Sequence, residues 1–306
     1  MTRTEEFEQL RPLLFSIAYR ILGSVSEAED AVQETWLRYA RSHTQPDSPR
    51  NFLSTTVSRI AIDVLRSARV RREEYVGRWF PEPLLQDPYE DPERAAELAD
   101  SVSTAALLLL ERLSPLERAV FVLREVFGFG FDEVAESVGR SEAACRQLVV
   151  RARRHMDEGR ARFAADRRSR AQLADRFFAA FRGGDVDGLK ELLAADVSLV
   201  GDSGGKAPLW GDGIFGAANV ARVLAGLSLP FAQVGGVMEP HDLNGQPGAL
   251  FRDREGRIVN TLTLDILDGR VQTIRAVLNP DKLRHLGPVA DAWSVVRDTN
   301  RARRRR

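Results

Sequence analysis

Cysteine and lysine are nearly absent. The single cysteine, Cys145, excludes an intrachain disulfide, and four histidines without a Cys/His run at ligand spacing leave no zinc motif, so neither metal nor cofactor is expected. No apolar run reaches the roughly 18 residues of a membrane span. Residues 1–11 are polar and acidic rather than signal-like, so the chain reads as cytoplasmic and without membrane association. The glycine-rich stretch 201–213 lacks P-loop spacing. Only three of the 44 basic residues are lysine, a bias that reports genome composition rather than function, yet it singles out Lys190, Lys206 and Lys282.

Net charge is also absent, because 44 acidic residues balance the 44 basic ones, but the balance is an average over unlike segments. Residues 140–170 hold ten arginines against four acids, whereas residues 80–111 hold eight acids against one arginine. A local cationic stretch suits nucleic acid even in a neutral chain.

Periodicity divides the 306 residues into helical and mixed parts. Residues 1–74 read as helical, with Phe7, Leu10, Leu14, Ile17 and Ile21 on one stripe, a second helix capped by Ser26 with Glu29 three residues on, and a third over 49–72. Residues 75–104 read as an acidic linker with extended stretches, punctuated by Pro81, Pro83, Pro88 and Pro92. Residues 105–165 read as a four-helix block that includes a capping box at Ser114 and Glu117. Residues 170–290 read as α+β, with Asp268-Gly269 marking a hairpin, and 291–306 as a disordered basic tail.

The sharpest local signal is a helix-turn-helix. The segment 131–138 is followed by Gly139, placed for a left-handed stop, and by Ser141, placed to cap the helix that follows. On that second helix Cys145, Leu148, Val149, Ala152 and Met156 share one face, while Arg146, Gln147, Val150, Arg151 and Arg154 share the other. Arginine forks grip phosphate or guanine and glutamine pairs with adenine, so the second face suits duplex DNA.

These blocks together resemble the extracytoplasmic-function class of bacterial sigma factors. Residues 29–38, with Asp30, Gln33, Glu34 and Arg38, resemble the region-two helix that docks on the polymerase clamp. Residues 52–72 resemble the part that melts and reads the minus-10 element, which implies DNA roles for Arg59, Asp63, Arg66, Arg69, Arg71 and Arg72. Residues 113–154 resemble region four, which reads the minus-35 element. Past residue 170 the chain is similar to the SnoaL-like, NTF2-type domain fused to sigma factors of the SigJ type.

Three short motifs carry that last resemblance. Asn279-Pro280-Asp281-Lys282-Leu283 is similar to the subfamily's NPDKL without change, Trp79-Phe80-Pro81-Glu82-Pro83 to WLPEP with phenylalanine for leucine, and Asp202-Ser203-Gly204-Gly205-Lys206 to DGGGK with serine for the first glycine. The resemblance implies two all-α domains followed by an α+β cone domain that contacts the sigma domains and linker to tune activity. It also implies core RNA polymerase, through its β′ clamp and β flap, and promoter DNA as partners.

Other readings stay open at this point. NTF2-type folds often enclose a pocket, so a small-molecule ligand, or isomerase, cyclase or hydrolase chemistry targeted to DNA, is an alternative that would draw on Asp202, His241, Asn260 or Asp265. A one-component DNA-binding regulator is another. The protease-like run Gly201-Asp202-Ser203-Gly204-Gly205 has no histidine partner motif, and no catalytic residue is expected.

Overall fold

The computed structural model describes residues 2–42, 46–157 and 167–304, with the side chains of 68–73, 95–97 and 167 also outside the description. The chain forms two compact units, Met1–Glu74 with Gln86–Arg160, and Tyr75–Leu85 with Ala161–Arg306.

In the first unit, α1 (Arg3–Leu22), α2 (Val25–Arg41) and α3 (Pro49–Glu73) form a bundle around Phe7, Leu14, Ile17, Ile21, Ala28, Val32, Leu53 and Val57. α1 opens on a Thr2–Glu5 capping box and closes on Gly23, whose φ of 69° suits glycine. The chain turns at once into Ser24, extended at φ −130°, whose hydroxyl caps α2 at Glu27 N. The expected Ser26–Glu29 cap is thus displaced by two residues, because the left-handed stop leaves Ser24 as the last non-helical residue.

The 75–104 segment is not extended throughout. A 3-10 turn over Pro92–Arg94 leads into α4 (Ala95–Ser101), which belongs with the first unit. The reason is Arg20, whose fully buried guanidinium donates to Leu98 O at 2.9 Å and Ser101 Oγ at 2.8 Å and pairs with Asp87 at 2.8 Å. A buried charge must find such partners, so it folds the nearby acidic chain onto α1. The helices α5 (Thr104–Leu110), α6 (Pro115–Phe121), α7 (Phe131–Val138) and α8 (Glu142–Asp157) complete this unit. The capping box at Ser114 and Glu117 starts α6.

In the second unit, α9 (Arg167–Gly183), α10 (Val186–Leu192) and α11 (Ala217–Gln233) accompany the strands β1 (Leu193–Asp202), β2 (Ile214–Phe215), β3 (Val237–Leu243), β4 (Gln246–Arg252), β5 (Ile258–Leu267) and β6 (Arg270–Val277). The sheet order is β2-β1-β6-β5-β4-β3, antiparallel except for the β1–β6 pair. Phe177, Phe178 and Phe181 of α9 fill its interior against Phe251, Leu262, Leu264 and Ile274. Asp268 and Gly269, at φ 51° and 70°, form the expected hairpin turn between β5 and β6. Residues 292–304 of the expected disordered tail are instead helical, since α12 (Ala292–Arg304) packs on α11 through buried Ala292 and Thr299.

Candidate nucleic-acid interface and linker clamp

The helix-turn-helix assembles as its turn chemistry requires. Gly139 adopts φ 64° and Ser141 Oγ accepts from Ala144 N at 3.3 Å. Cys145, Leu148, Val149 and Ala152 are buried, and burial raises the Cys145 thiol above its ordinary range, consistent with a packing role. Arg146, Gln147, Val150, Arg151 and Arg154 are exposed together on the other face. Val150 is 66% exposed, an apolar side chain in the middle of a cationic face. Arg146 lies over the Phe131 ring at 4.8 Å and pairs with Glu142 at 2.7 Å, which holds its fork above the start of α8. Arg153, not singled out by the sequence reading, is exposed beside them and pairs with Glu125 at 2.7 Å.

The region-two candidates divide. Asp63 and Arg66 are exposed and pair with each other at 3.0 Å. Arg59, although exposed, is engaged within the first unit: it donates to the last carbonyls of α7, at 2.6 Å to Glu136 O and 3.3 Å to Ser137 O. A cation at a helix C-terminus satisfies carbonyls that have no helical partner. Thr55 Oγ1 and Ser137 Oγ, 3.0 Å apart, extend this α3–α7 contact. The side chains of Arg69, Arg71 and Arg72 lie outside the described residues.

On α2, Asp30, Gln33 and Arg38 are exposed, and half-buried Glu34 holds Arg38 at 2.8 Å. Leu37, 38% exposed, lies on the same outward face, a residue that the charge pattern did not single out. Trp36 packs on Phe7 with ring centroids 5.0 Å apart.

Within the second unit, residues 75–85 are held by the domain that follows them. Asp202, fully buried, is the hub. Its Oδ1 accepts from Tyr75 OH at 2.5 Å, and its Oδ2 accepts from Phe80 N at 2.8 Å and from Lys282 Nζ at 2.6 Å. Lys282 also donates to Phe80 O at 2.5 Å and lies 4.3 Å from the Trp79 ring and 4.8 Å from the Tyr75 ring. Asn279 Nδ2 donates to Tyr75 OH at 2.7 Å. Burial, and next the hydrogen bond to Asp202, push the Tyr75 phenol well above its ordinary range.

Further along, His285 Nε2 lies 2.7 Å from Pro83 O and its ring is 3.9 Å from Glu82. Leu84 N donates to Asn244 Oδ1 at 3.1 Å, and Asn244 N donates to Leu84 O at 2.7 Å. Phe80, Pro81, Glu82, Pro83 and Leu84 are all buried. The glycines are fitted to this contact. A Cβ on Gly204, at φ 55°, would lie 2.4 Å from Asn279 Nδ2 and 2.8 Å from Tyr75 OH, and one on Gly205 would press on Val76 at 3.2 Å. Pro280 starts the turn that sets Lys282, and Leu283 is fully buried behind it.

Lys206 and Asp281 do not join the clamp as expected. They pair with each other at the surface, and Asp281 also pairs with Arg284 at 2.9 Å, because loop 203–206 and turn 279–282 run side by side and exposed charges take their nearest partner. Tyr75, Asn244 and His285 were missed by the sequence reading. An aromatic just before the WFPEP run was one available signal, whereas Asn244 and His285 carry no sequence signal linking them to the linker.

The four polar residues considered for catalysis do not converge. Asp202 is committed to the clamp, Asp265 pairs with Arg275 and Gln246, His241 is exposed on β3, and Asn260 is half-buried on β5. A cleft of about 810 Å3 lies instead outside the sheet–helix interior, between α11, α12 and the β4–β5 turn, with Asp253, Arg254, Glu255 and Arg301 on its walls. Among the described residues no helix is long and apolar enough to cross a membrane, and no group of three His, Cys, Asp or Glu gathers at metal-binding distance.

Comparison with known proteins places these features in one family. Residues 7–71 match Sigma-70 region 2 and residues 103–156 match Sigma-70 region 4. The chain is similar to ECF RNA polymerase sigma factor SigJ of Mycobacterium tuberculosis, 39% identical over 90% of this chain and 92% of that protein. It is also similar to probable ECF RNA polymerase sigma factor SigI of the same species, 32% identical over 89% and 92%. The crystal structure of the Mycobacterium tuberculosis SigJ protein superposes with a TM-score of 0.72 at 35% identity, covering 94% of this chain and all of that one.

Proposed function

Because the chain belongs to the extracytoplasmic-function sigma factors, which bind core RNA polymerase and direct it to promoter DNA, we propose that its helix–sheet domain is a built-in regulator acting through the linker clamp. The protein is a transcription initiation factor and not an enzyme. In this reading it works in the cytoplasm with RNA polymerase. Residues 1–74 serve as region two, 105–165 as region four, 75–104 as their connection and 170–290 as the regulator.

Asp30, Gln33, Glu34 and Arg38, with Leu37 beside them, engage the β′ clamp, and region four engages the β flap. The exposed face of α8 reads the minus-35 duplex, with Ser141 at the helix start suited to a phosphate. The basic end of α3, through Arg59, Asp63, Arg66, Arg69, Arg71 and Arg72, serves the minus-10 element.

The observation that carries the regulatory reading is the capture of residues 75–85 by Asp202, Asn244, Asn279 and Lys282. Those eleven residues are the first part of the connection between the two DNA-reading modules, and if released they span up to roughly 36–40 Å. While they are docked, the modules cannot use that reach. The Arg59–α7 contact supports the same sign, because one minus-10 candidate is occupied by the helix-turn-helix itself. Docking therefore restrains initiation and release permits it.

Run-off transcription with core RNA polymerase tests this, comparing the full chain with full-length Lys282→Met. The variant is expected to raise transcript yield severalfold. Unchanged yield from a folded variant would remove the clamp from regulation, and lowered yield would reverse its sign.

A further inference from the structure

The second unit carries a feature that the linker clamp does not use. α12 is amphipathic, and its apolar side is already covered: Ala292 and Val295 join the core and Thr299 is buried. Its opposite side is open. Trp293, Arg297, Arg301 and Arg304 recur there at intervals of four, four and three residues, which stacks them along one helical face. Trp293 is 50% exposed, and the side chains of Arg297 and Arg301 are 60% and 75% exposed.

We infer that this face of α12 is a docking surface for the phosphate backbone of duplex DNA. The inference rests on the sigma-factor reading only in that duplex DNA is within reach of the protein. Charge complementarity carries it. Neighbouring arginines rise along the helix by about 4.5–6 Å, so the stripe from Trp293 to Arg304 is roughly 16 Å long. One DNA strand presents a phosphate for every ~3.4 Å of axis, so that length runs past several phosphates.

The arginines are only loosely committed within the protein. Arg297 lies 3.8 Å from Asp291 and Arg301 lies 3.5 Å from Asp298, both as exposed pairs. Exposed pairs of this kind contribute little and exchange readily for phosphate. Trp293 adds an indole N–H donor at the end of the stripe.

An anionic membrane is the competing partner for a basic helix, and the distribution of apolar surface argues against it. A helix that lies in a bilayer interface needs a broad apolar face to insert. Here that face is spent on α11 and the sheet, leaving Trp293 and Val296 as the exposed large hydrophobics of the helix. The exposed side is therefore built to touch charge rather than to enter lipid. Phosphate contacts of this kind add affinity without sequence preference.

The test is the salt dependence of promoter binding by reconstituted holoenzyme, made with the full chain or with full-length Arg297→Gln/Arg301→Gln/Arg304→Gln. Each lost phosphate contact lowers the slope of log K against log salt by about 0.9, so the triple variant should lose up to about 2.7. It should lose it equally on promoters differing only in the minus-35 bases. Replacing the same three arginines by lysine should restore the slope, which separates charge from any effect on folding. An unchanged slope with intact promoter binding would overturn the inference and leave the sigma assignment standing, whereas absence of promoter binding by the wild-type holoenzyme would sink the assignment itself. Co-sedimentation with phosphatidylglycerol–phosphatidylcholine vesicles that is lost in the glutamine variant, together with an unchanged slope, would reassign the face to membrane.

Discussion

Lys282 places its Nζ 2.6 Å from Asp202 Oδ2, with both side chains buried and 80 positions apart in the chain. The pair is joined by the backbone N–H and C=O of Phe80, so neither charge can lose its partner without uncovering the linker. Removing one member of a buried pair leaves the other uncompensated, at a cost of about 3–5 kcal/mol. Lys282→Met should therefore release the docked stretch 79–84, and trypsin cleavage at Arg78, whose side chain is already exposed, should accelerate by at least tenfold as the chain beside it loosens. Cleavage at the wild-type rate would show that the linker is held by other contacts.

Gly204 tests the same contact through shape rather than charge. A methyl group there meets Asn279 and Tyr75 at 2.4 and 2.8 Å, and a non-glycine residue at φ 55° is itself strained by about 1–2 kcal/mol. Gly204→Ala is expected to loosen the linker while leaving α8 intact. Hydrogen exchange should speed up at Phe80 and Leu84 but not in α8, and equal exchange at all three places would contradict the fit.

Tyr75 gives the clamp an alkaline limit. Its phenol is pushed upward by burial and then by Asp202, so the folded state favours the neutral form. Both folded and unfolded forms are neutral below the ordinary value of 10.0, where the stabilisation is fully present. Above that pH the released tyrosine ionises first, and stability falls progressively until the folded phenol also ionises. Linker protection should decline from about pH 10 upward, and Tyr75→Phe should reduce that pH dependence, with Lys282 as the other clamp group that titrates in this range. A wild-type profile that stays flat through that range would be inconsistent with the Tyr75–Asp202 hydrogen bond.

On α8, Val150 is expected to report base methyls and Arg146 or Gln147 to report base edges. Either polar residue changed to alanine should cost about 1–3 kcal/mol on the cognate promoter and relax preference at one position. Val150→Ala should lose its effect on a promoter carrying uracil in place of a contacted thymine. Equal losses on cognate and scrambled sequences would mean that this face only holds phosphate.

Leu37 should matter more to polymerase binding than the charges around it. An exposed leucine one to two turns from Asp30, Gln33 and Glu34 has the form of an apolar contact beside a polar rim. Leu37→Ala should weaken binding to core polymerase by about tenfold, with Arg38→Ala weaker still in effect. Competition binding against a labelled sigma factor would measure both.

Local rules were enough for the helix-turn-helix, because Gly139, Ser141 and the 3.6-residue period act within a few positions of each other. The same holds for the α6 capping box and the hairpin at Asp268-Gly269. Those elements were legible in the sequence. The Ser24 cap and the helix at 95–101 were not, since each depends on a neighbour: a left-handed Gly23 in one case, a buried Arg20 in the other.

The sequence by itself determined the modules and their chemistry: a helical bundle with an acidic outward face, a helix with separate packing and cationic faces, an α+β domain and the three motifs that mark it. Only the tertiary structure decided that Asp202, Lys282 and Asn279 meet around Phe80 and Tyr75 while Lys206 and Asp281 turn away to pair with each other. It also decided that Arg59 caps α7 and that Arg297, Arg301 and Arg304 line one side of a helix. Periodicity and capping act over a turn or two of chain, whereas these contacts join positions up to about 200 residues apart and exist only where folding brings a buried charge to its partner.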